Sequence, residues 1–243
     1  MLKPLVVTVI LNTNRRDDTL ACLESLARNS YENHRVIVLD NASTDGSVDE
    51  INRQFPAVRT VGLSRNAGYA GNNNVGISDA MLQGADWVLV LNEDTVLDPD
   101  CLTHLVSAAM SGKEVGIVGP MVYHFDEAET IQSAGGTLTP SWKARHIAQN
   151  ELDSHQFSDP HRVDWVSGCA IMVRGSVIHQ IGMLDERFFY YWEEVDWCLR
   201  AREHGWKILQ VPEARLWHRG VQRDYRPKPS VDALSRTITR WFS

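Results

Sequence analysis

Cysteines are few, and none of them is arranged to bridge or to bind. Cys22, Cys101, Cys169 and Cys198 lie far apart and form no CxxC pair, which excludes a zinc knuckle and a disulfide framework. A reducing cytoplasm is the setting this favours. Long apolar runs are also absent. The opening stretch MLKPLVVTVILNTN is too short in apolar residues to span a membrane and has no small-residue cleavage site, so it reads as a first strand. Basic residues are in deficit, 24 Lys and Arg against 31 Asp and Glu, giving a formal net charge of −7. That balance excludes a general nucleic-acid binder, because phosphate backbones are held by clustered Lys and Arg. An anionic ligand would need local basic groups or a metal. Glycine is missing from LNTNRRDD, after the first strand, so the GxGxxG loop of a nicotinamide oxidoreductase is excluded too. There is no internal repeat and no low-complexity tract.

What is present is enough apolar material for a sizeable core, 43% of 243 residues. Strand-like and helix-like patterns alternate through the first half. Strands are expected at 5–11, 36–39, 58–63 and 87–91. Helices are expected around 19–26, up to Phe55 with Ser43 or Thr44 as its cap, and from about 71 to 82. Such alternation predicts an α/β fold, a mostly parallel sheet with helices on both faces. Ligands of such sheets gather at the strand C-terminal ends. Asn12, Asp40 and the cluster Asn92-Glu93-Asp94-Thr95 all fall there. The second half is less regular, with strands expected at 115–122 and 131–138. Residues 142–164 are polar and rich in His and Asp, which reads as a mobile excursion. Beyond residue 220, Arg223, Arg226, Lys228, Arg236 and Arg240 are interleaved with apolar residues.

The stretch VLVLNEDT sets two adjacent acids after a buried-type strand. A carboxylate held on rigid backbone at the rim of a cleft can ligate magnesium or manganese, which take oxygen ligands and often only one or two protein carboxylates. An ordinary turn accounts for the same residues, with Asp98 capping the next helix. The company they keep favours a ligand site. In VLDNASTDGS, Asp40 ends the second strand as Asp94 follows the fourth, and a carboxylate there can accept hydrogen bonds from a nucleobase or a ribose. LSRNAGYAGNNNVG adds glycines that permit tight turns and close approach.

Taken in order, VILNTNRRDDTLACLESL, VLDNASTDGS, RNAGYAGNNNVG, LVLNEDT, WVSGCAIMVRGSV, MLDERFFYYWEEVDWCLRAREHGWKI and LWHRG resemble the family 2 inverting glycosyltransferases of GT-A fold. The likeness is strongest to rhamnosyltransferase-type members that build bacterial surface polysaccharides, and it runs from Val6 to about Gly220. It implies one GT-A domain over 1–220, with a nucleotide-sugar-binding half (1–97) and an acceptor-binding half (98–220). A basic segment, 221–243, would follow, with helical spacing and the option of peripheral contact with the inner face of the membrane. The resemblance further implies that Asn12, Thr13, Asn14 and Asp40 hold base and ribose, with Asn66 and Gly68 beside the nucleotide. Asn92, Glu93 and Asp94 would be the DxD element for metal and diphosphate, with Asn92 in place of its first acid and Asp94 as the metal ligand. His218 would complete the metal site, and Arg219 would pair with phosphate. Mg2+ or Mn2+ is the expected cofactor. The donor would be dTDP-rhamnose or a UDP-sugar, and the acceptor a glycan or lipid-linked glycan.

Relatives of this kind carry Glu-Asp before a helix, where this chain has Trp192-Glu193-Glu194-Val195-Asp196. An inverting transfer needs one carboxylate near the acceptor hydroxyl, to take its proton while the sugar is attacked from the face opposite the nucleotide. Glu194 stands where that base is expected, off the apolar stripe of Trp192, Val195 and Leu199, with Asp196 in reserve. Stabilising the first helical turn is the duller role for the same acids. Gly168 falls where the resemblance sets part of the acceptor site, joined by the aromatics Tyr190 to Trp192, while Cys169 is read as a small buried hydrophobe. Two other readings stay open. A catalytically weakened sugar-nucleotide binder would explain the departures at Asn92 and Glu194. A metal-dependent phosphohydrolase would want an Asp nucleophile at the first-strand tip, where Asn12 stands.

Overall fold

The structure, a computed structural model, describes residues 3–220. Its first half follows the expected alternation: β1 (Val6–Asn12), α1 (Arg16–Ala27), β2 (His34–Asp40), α2 (Ser47–Gln54), β3 (Arg59–Gly62), α3 (Gly68–Leu82) and β4 (Trp87–Asn92). Then come β5 (Thr95–Leu97), α4 (Cys101–Ala109), β6 (Val115–His124), β7 (Ile131–Ser133), β8 (Gly136–Leu138), β9 (Ala144–His146) and β10 (His161–Arg162). The chain closes on β11 (Ala170–Arg174), α5 (Gly175–Ile181), α6 (Glu193–Glu203) and β12 (Lys207–His218).

β1 and β4 are near-continuous apolar runs because both their faces are covered, and every residue from Trp87 to Leu91 is buried. The sheet runs β10-β12-β6-β11-β4-β1-β2-β3. β1 pairs in parallel with both β2 and β4, whereas β11 is antiparallel to β4 and β6. Leu23 of α1, Ile51 of α2 and Leu102 of α4 pack on one face; Ile77 of α3, Val177 of α5 and Trp197 of α6 pack on the other. Close seating of α3 on β1 requires Gly76, where an added Cβ would meet Val9 Cγ1 at 2.4 Å.

This topology creates the site. From β1 the chain steps outward to β2 and β3, then returns to lay β4 on the other side of β1. Loops leaving β1 and β4 therefore diverge, and a crevice opens at the strand C-terminal ends. Leu11 stands beside Asn92 in this register, and Asn12 beside Asp40.

Several local expectations are corrected. Neither Ser43 nor Thr44 caps α2; the cap is Gly46 at φ 78°, and the Ser43 hydroxyl is held by Asn12 instead. The strand expected over 131–138 breaks at Gly135, φ 81°, so that β7 can pair with β6 while β8 pairs with β9. Asp98 does not cap α4; its carboxylate accepts the N–H of Asp100, the helix's own cap residue. Residues 142–164 are tied to the rest of the fold rather than loose: β9 pairs β8, Leu152 bridges Thr130, and β10 pairs β12. No helix among the described residues is long and apolar enough to cross a membrane. The expectation for 221–243 lies outside the described residues.

Candidate active site

A cavity of about 650 Å³ occupies the crevice. One wall comes from the C-terminal ends of β1, β2, β3 and β4 and the segments that follow them: Thr13, Arg15, Asn41, Asn66, Gly68, Asn92, Glu93 and Asp94. The opposite wall brings Ser167, Gly168 and Cys169 before β11, the aromatics Phe189 to Tyr191, and Glu193 and Glu194 of α6. His218 and Gly220, at and just past the end of β12, complete it together with Gln132, His124 and His146.

The nearest approach to a metal centre is Asp94 with His218. Asp94 Oδ1 lies 3.1 Å from His218 Nε2, yet it is buried and lacks an aligned hydrogen bond, while the other oxygen accepts the Gly220 N–H at 3.1 Å. Gln132 Oε1 sits 2.7 Å from His218 Nδ1, which turns Nε2 toward Asp94. Among the described residues no cluster of three or more His, Cys, Asp or Glu converges as a metal cage. One carboxylate and one imidazole nevertheless suit Mg2+ or Mn2+, whose remaining positions go to phosphate oxygens and water. The Asp94 oxygen, paired with His218 but without an aligned hydrogen bond, fits that use. Burial resists ionisation of Asp94, but His218 and then Arg15 more than offset it and hold its pKa below the usual value. Burial likewise opposes a charged His218, while Cys169 and Asp94 beside it push its pKa up to about 10. Burial and then the neighbouring Asp94 raise Glu93 to about 7.

Asn92, the residue that departs from the DxD pattern, is held from two sides. Its amide nitrogen is 3.4 Å from His218 Nε2, and its oxygen is 3.1 Å from the Tyr69 hydroxyl, which also reaches the Gly168 carbonyl at 2.8 Å. Tyr69 thereby links the two walls.

Asn12 is wholly buried and faces inward. Its amide donates toward Asp40, Ser43 and Ser47 at 2.9–3.0 Å, and its oxygen accepts from Thr19. It aligns the β2 loop rather than lining the cavity. Asp40, similarly, accepts from Asn12 and from the Ser43 N–H. Asn14, at φ 52°, accepts the Thr44 N–H at 2.7 Å and lies outside the cavity lining. Thr13, Asn66 and Gly68 do line it. Gly68, at φ 77°, has no room for a side chain, since a Cβ would come within 2.4 Å of the Phe189 carbonyl. Arg219 is turned away: it pairs with Asp18 at 2.9 Å and stacks on Phe125. Arg15 points into the cavity instead, also bonded to Asp18, at 3.0 Å. Sequence reasoning gave Arg15 no role, although it stands inside the NTNRR motif.

Tyr191 and Trp192 adopt φ of 70° and 75°, a strained turn for two bulky residues in succession. The turn is clamped by Tyr69 N–H donating to the Phe189 carbonyl and by Asn74, which both donates to and accepts from the Leu184 backbone. It delivers both glutamates to the cavity. Each leaves its buried Oε2 without a hydrogen bond. Burial raises both pKa values, and Glu194 raises Glu193 further, while backbone N–H groups at the helix start offset part of the rise at Glu194. The helix terminus is thus outweighed by desolvation, which suits a group that must take a proton near neutral pH. Asp196 faces the other way: it is buried against Arg200 at 2.7 Å, and Arg200 also donates to the Ile181 and Met183 carbonyls.

The model of the family described as "Glycosyltransferase like family 2" matches residues 4–243. The chain belongs to that family. It is a glycosyltransferase by sequence. It is 30% identical over 225 residues to N-acetylglucosaminyl-diphospho-decaprenol L-rhamnosyltransferase of Mycobacterium tuberculosis, covering 85% of this chain and 73% of that protein. The dTDP-rhamnosyl transferase RfbF of Shigella flexneri is 22% identical, over 77% of this chain and 60% of its own. Among solved structures, GalNAc-T7 with UDP, GalNAc and Mn2+ superimposes with a TM-score of 0.81 at 15% identity, over 97% of this chain and 48% of that one. The mannosyltransferase PcManGT from Pyrobaculum calidifontis, in complex with GDP-Man and Mn2+, gives 0.67 at 16% identity, over 93% of this chain and 59% of that one. The glycosyltransferase therefore spans about half the length of the first of these structures and has the GT-A fold of both.

Proposed function

We propose that the chain is an inverting, metal-assisted glycosyltransferase that moves a sugar from a nucleoside diphosphate, dTDP-rhamnose or a UDP-sugar, to a hydroxyl of a glycan or lipid-linked glycan. The observation that carries this is one cavity holding the Asp94–His218 pair on one side and the adjacent Glu193 and Glu194 on the other. Thr13, Asn41 and Asn66 receive the nucleoside. Arg15 faces the diphosphate, the one arginine among the described lining residues. Asp94 and His218, the latter deprotonated on binding, would hold Mg2+ or Mn2+, and the ion would supply positive charge against the departing diphosphate. Glu194 takes the proton of the acceptor hydroxyl. No enzyme nucleophile takes part.

Support for the donor and for a role in surface polysaccharide synthesis comes from the relatives, whose names specify rhamnosyl transfer and, in one case, a decaprenol-linked acceptor. Manganese in both superimposed structures supports the metal. Four free cysteines suit the reducing cytoplasm, and peripheral contact with its membrane would fall to residues 221–243. The test is thermal stabilisation by dTDP, UDP and GDP with and without Mn2+, followed by donor hydrolysis. A ligand at 100 times its Kd stabilises by about 2.7 kcal/mol, so one nucleotide should stand out and should need the metal. Equal, metal-independent shifts for all three would reject the reading.

A further inference from the structure

His146 stands in the cavity wall on β9, in the segment whose His content the sequence made conspicuous. Its Nδ1 is 2.8 Å from Ser133 Oγ, and that buried hydroxyl is 3.2 Å from the Gly135 carbonyl. A hydroxyl has one hydrogen, and a carbonyl can only accept. With the Ser133 hydrogen directed to Gly135, Ser133 accepts from His146, the ring proton sits on Nδ1 and Nε2 carries a lone pair. No described residue hydrogen-bonds Nε2. The ring is fixed edge-on to Trp165 at 4.7 Å between centroids, an approach that Gly136 permits, since a Cβ there would fall 2.0 Å from the Trp165 ring. Burial lowers the His146 pKa to about 4, which leaves the ring a neutral acceptor near neutral pH.

We infer that His146 Nε2 accepts a hydrogen bond from a hydroxyl of the acceptor sugar, in a subsite built for an uncharged ring. The inference rests on the glycosyltransferase reading above and names the chemistry of its acceptor side. Gln132 and Gln149 add uncharged polar groups to the cavity. Arg15, the only Lys or Arg among the described lining residues, lies by Glu93 and Asp94 at the donor end. Trp165 leads within three residues to Gly168, where an added Cβ would lie 3.4 Å from the Glu194 side chain, and His146 and Glu194 line the same cavity.

The probes are methyl glycosides of rhamnose, glucose, galactose and N-acetylglucosamine, observed by saturation-transfer NMR on full-length protein carrying UDP or dTDP and Mn2+. His146→Asn keeps a donor for Ser133 and removes the Nε2 lone pair; His146→Gln restores an acceptor at its position. The expected result is one or more glycosides bound by the wild type, weakened about 2- to 10-fold in His146→Asn and largely recovered in His146→Gln. A monodeoxy version of that glycoside should bind wild type and His146→Asn alike, and the Kd of the intact nucleotide sugar should not move. No glycoside binding to the wild type, unchanged binding in His146→Asn, or an equal loss of nucleotide-sugar affinity would overturn the inference. Loss of nucleotide binding by the wild type would instead reject the proposed function.

Discussion

Asp94 Oδ1 and His218 Nε2 face each other at 3.1 Å, joining the loop after β4 to the end of β12, with no aligned hydrogen bond between them. The pair is held by charge, and a divalent cation could take the place of the imidazole proton between them. Asp94→Asn should weaken Mn2+ binding, read by electron paramagnetic resonance, by at least about 10-fold, a loss that even supporting residues around a metal commonly produce. Metal-stimulated transfer should disappear with it while the circular dichroism spectrum stays unchanged. Undiminished Mn2+ affinity would remove Asp94 as a ligand.

Arg15 and Arg219 share Asp18, but only Arg15 enters the cavity. Hydrogen bonds to charged groups contribute about 1.5–3 kcal/mol, so Arg15→Gln should raise the donor Kd by about 10- to 100-fold. Arg219→Gln should change it by less than about 3-fold, since its pair is half exposed and such pairs contribute little. Isothermal titration with the nucleotide sugar decides between them, and a larger loss in Arg219→Gln would reverse the assignment.

Asp196 serves α6 through Arg200. Both side chains are buried, at 3% and 9% exposure, so Asp196→Asn leaves a guanidinium without its counter-charge. Urea unfolding should show a loss of about 3 kcal/mol. Turnover by the fraction that remains folded should stay within a few-fold of wild type. Full stability with collapsed turnover would make Asp196 chemical rather than structural.

His34 offers a pH test of the fold. Burial lowers its pKa to about 4, against its ordinary value of 6.5. A histidine that stays neutral when folded binds its proton first in the unfolded state, so its contribution to stability is intact above about pH 6.5 and is lost as pH falls toward 4. Comparison with His34→Gln cancels the opposing titration of the raised glutamates. Relative to that variant, wild type should lose about 2–3 kcal/mol between pH 7 and pH 4.5 in urea unfolding. A pH-independent difference would contradict it.

The alternating first half was legible because β1 and β4 are apolar runs buried on both faces, and such runs are hard to mistake when helices separate them. The strand-end acids were legible for the same reason: the topology gathers them wherever the sheet is parallel. Local sequence could not reveal which polar residues turn inward. Asn12 and Asp94 stand at similar strand ends, yet one is consumed by Asp40, Ser43, Ser47 and Thr19 while the other faces His218 in the cavity. That difference depends on α2 and β12, which are distant in sequence. His146 was equally hidden, because its partner Ser133 and its support Trp165 come from separate strand connections that no periodicity links. Arg15 and Arg219 were exchanged in importance because only the packing of Phe125 shows which guanidinium is drawn away.

Turnover of Glu194→Gln, measured together with donor Kd, tests the central claim most directly. The side chain keeps its shape and loses its capacity to take a proton, so turnover should fall by about 10²–10⁴-fold, the usual scale for a general base, with donor Kd within about 2-fold of wild type. Near-normal turnover in Glu194→Gln, with the donor still bound, would contradict the account and move the base elsewhere in the cavity, to Glu193 first.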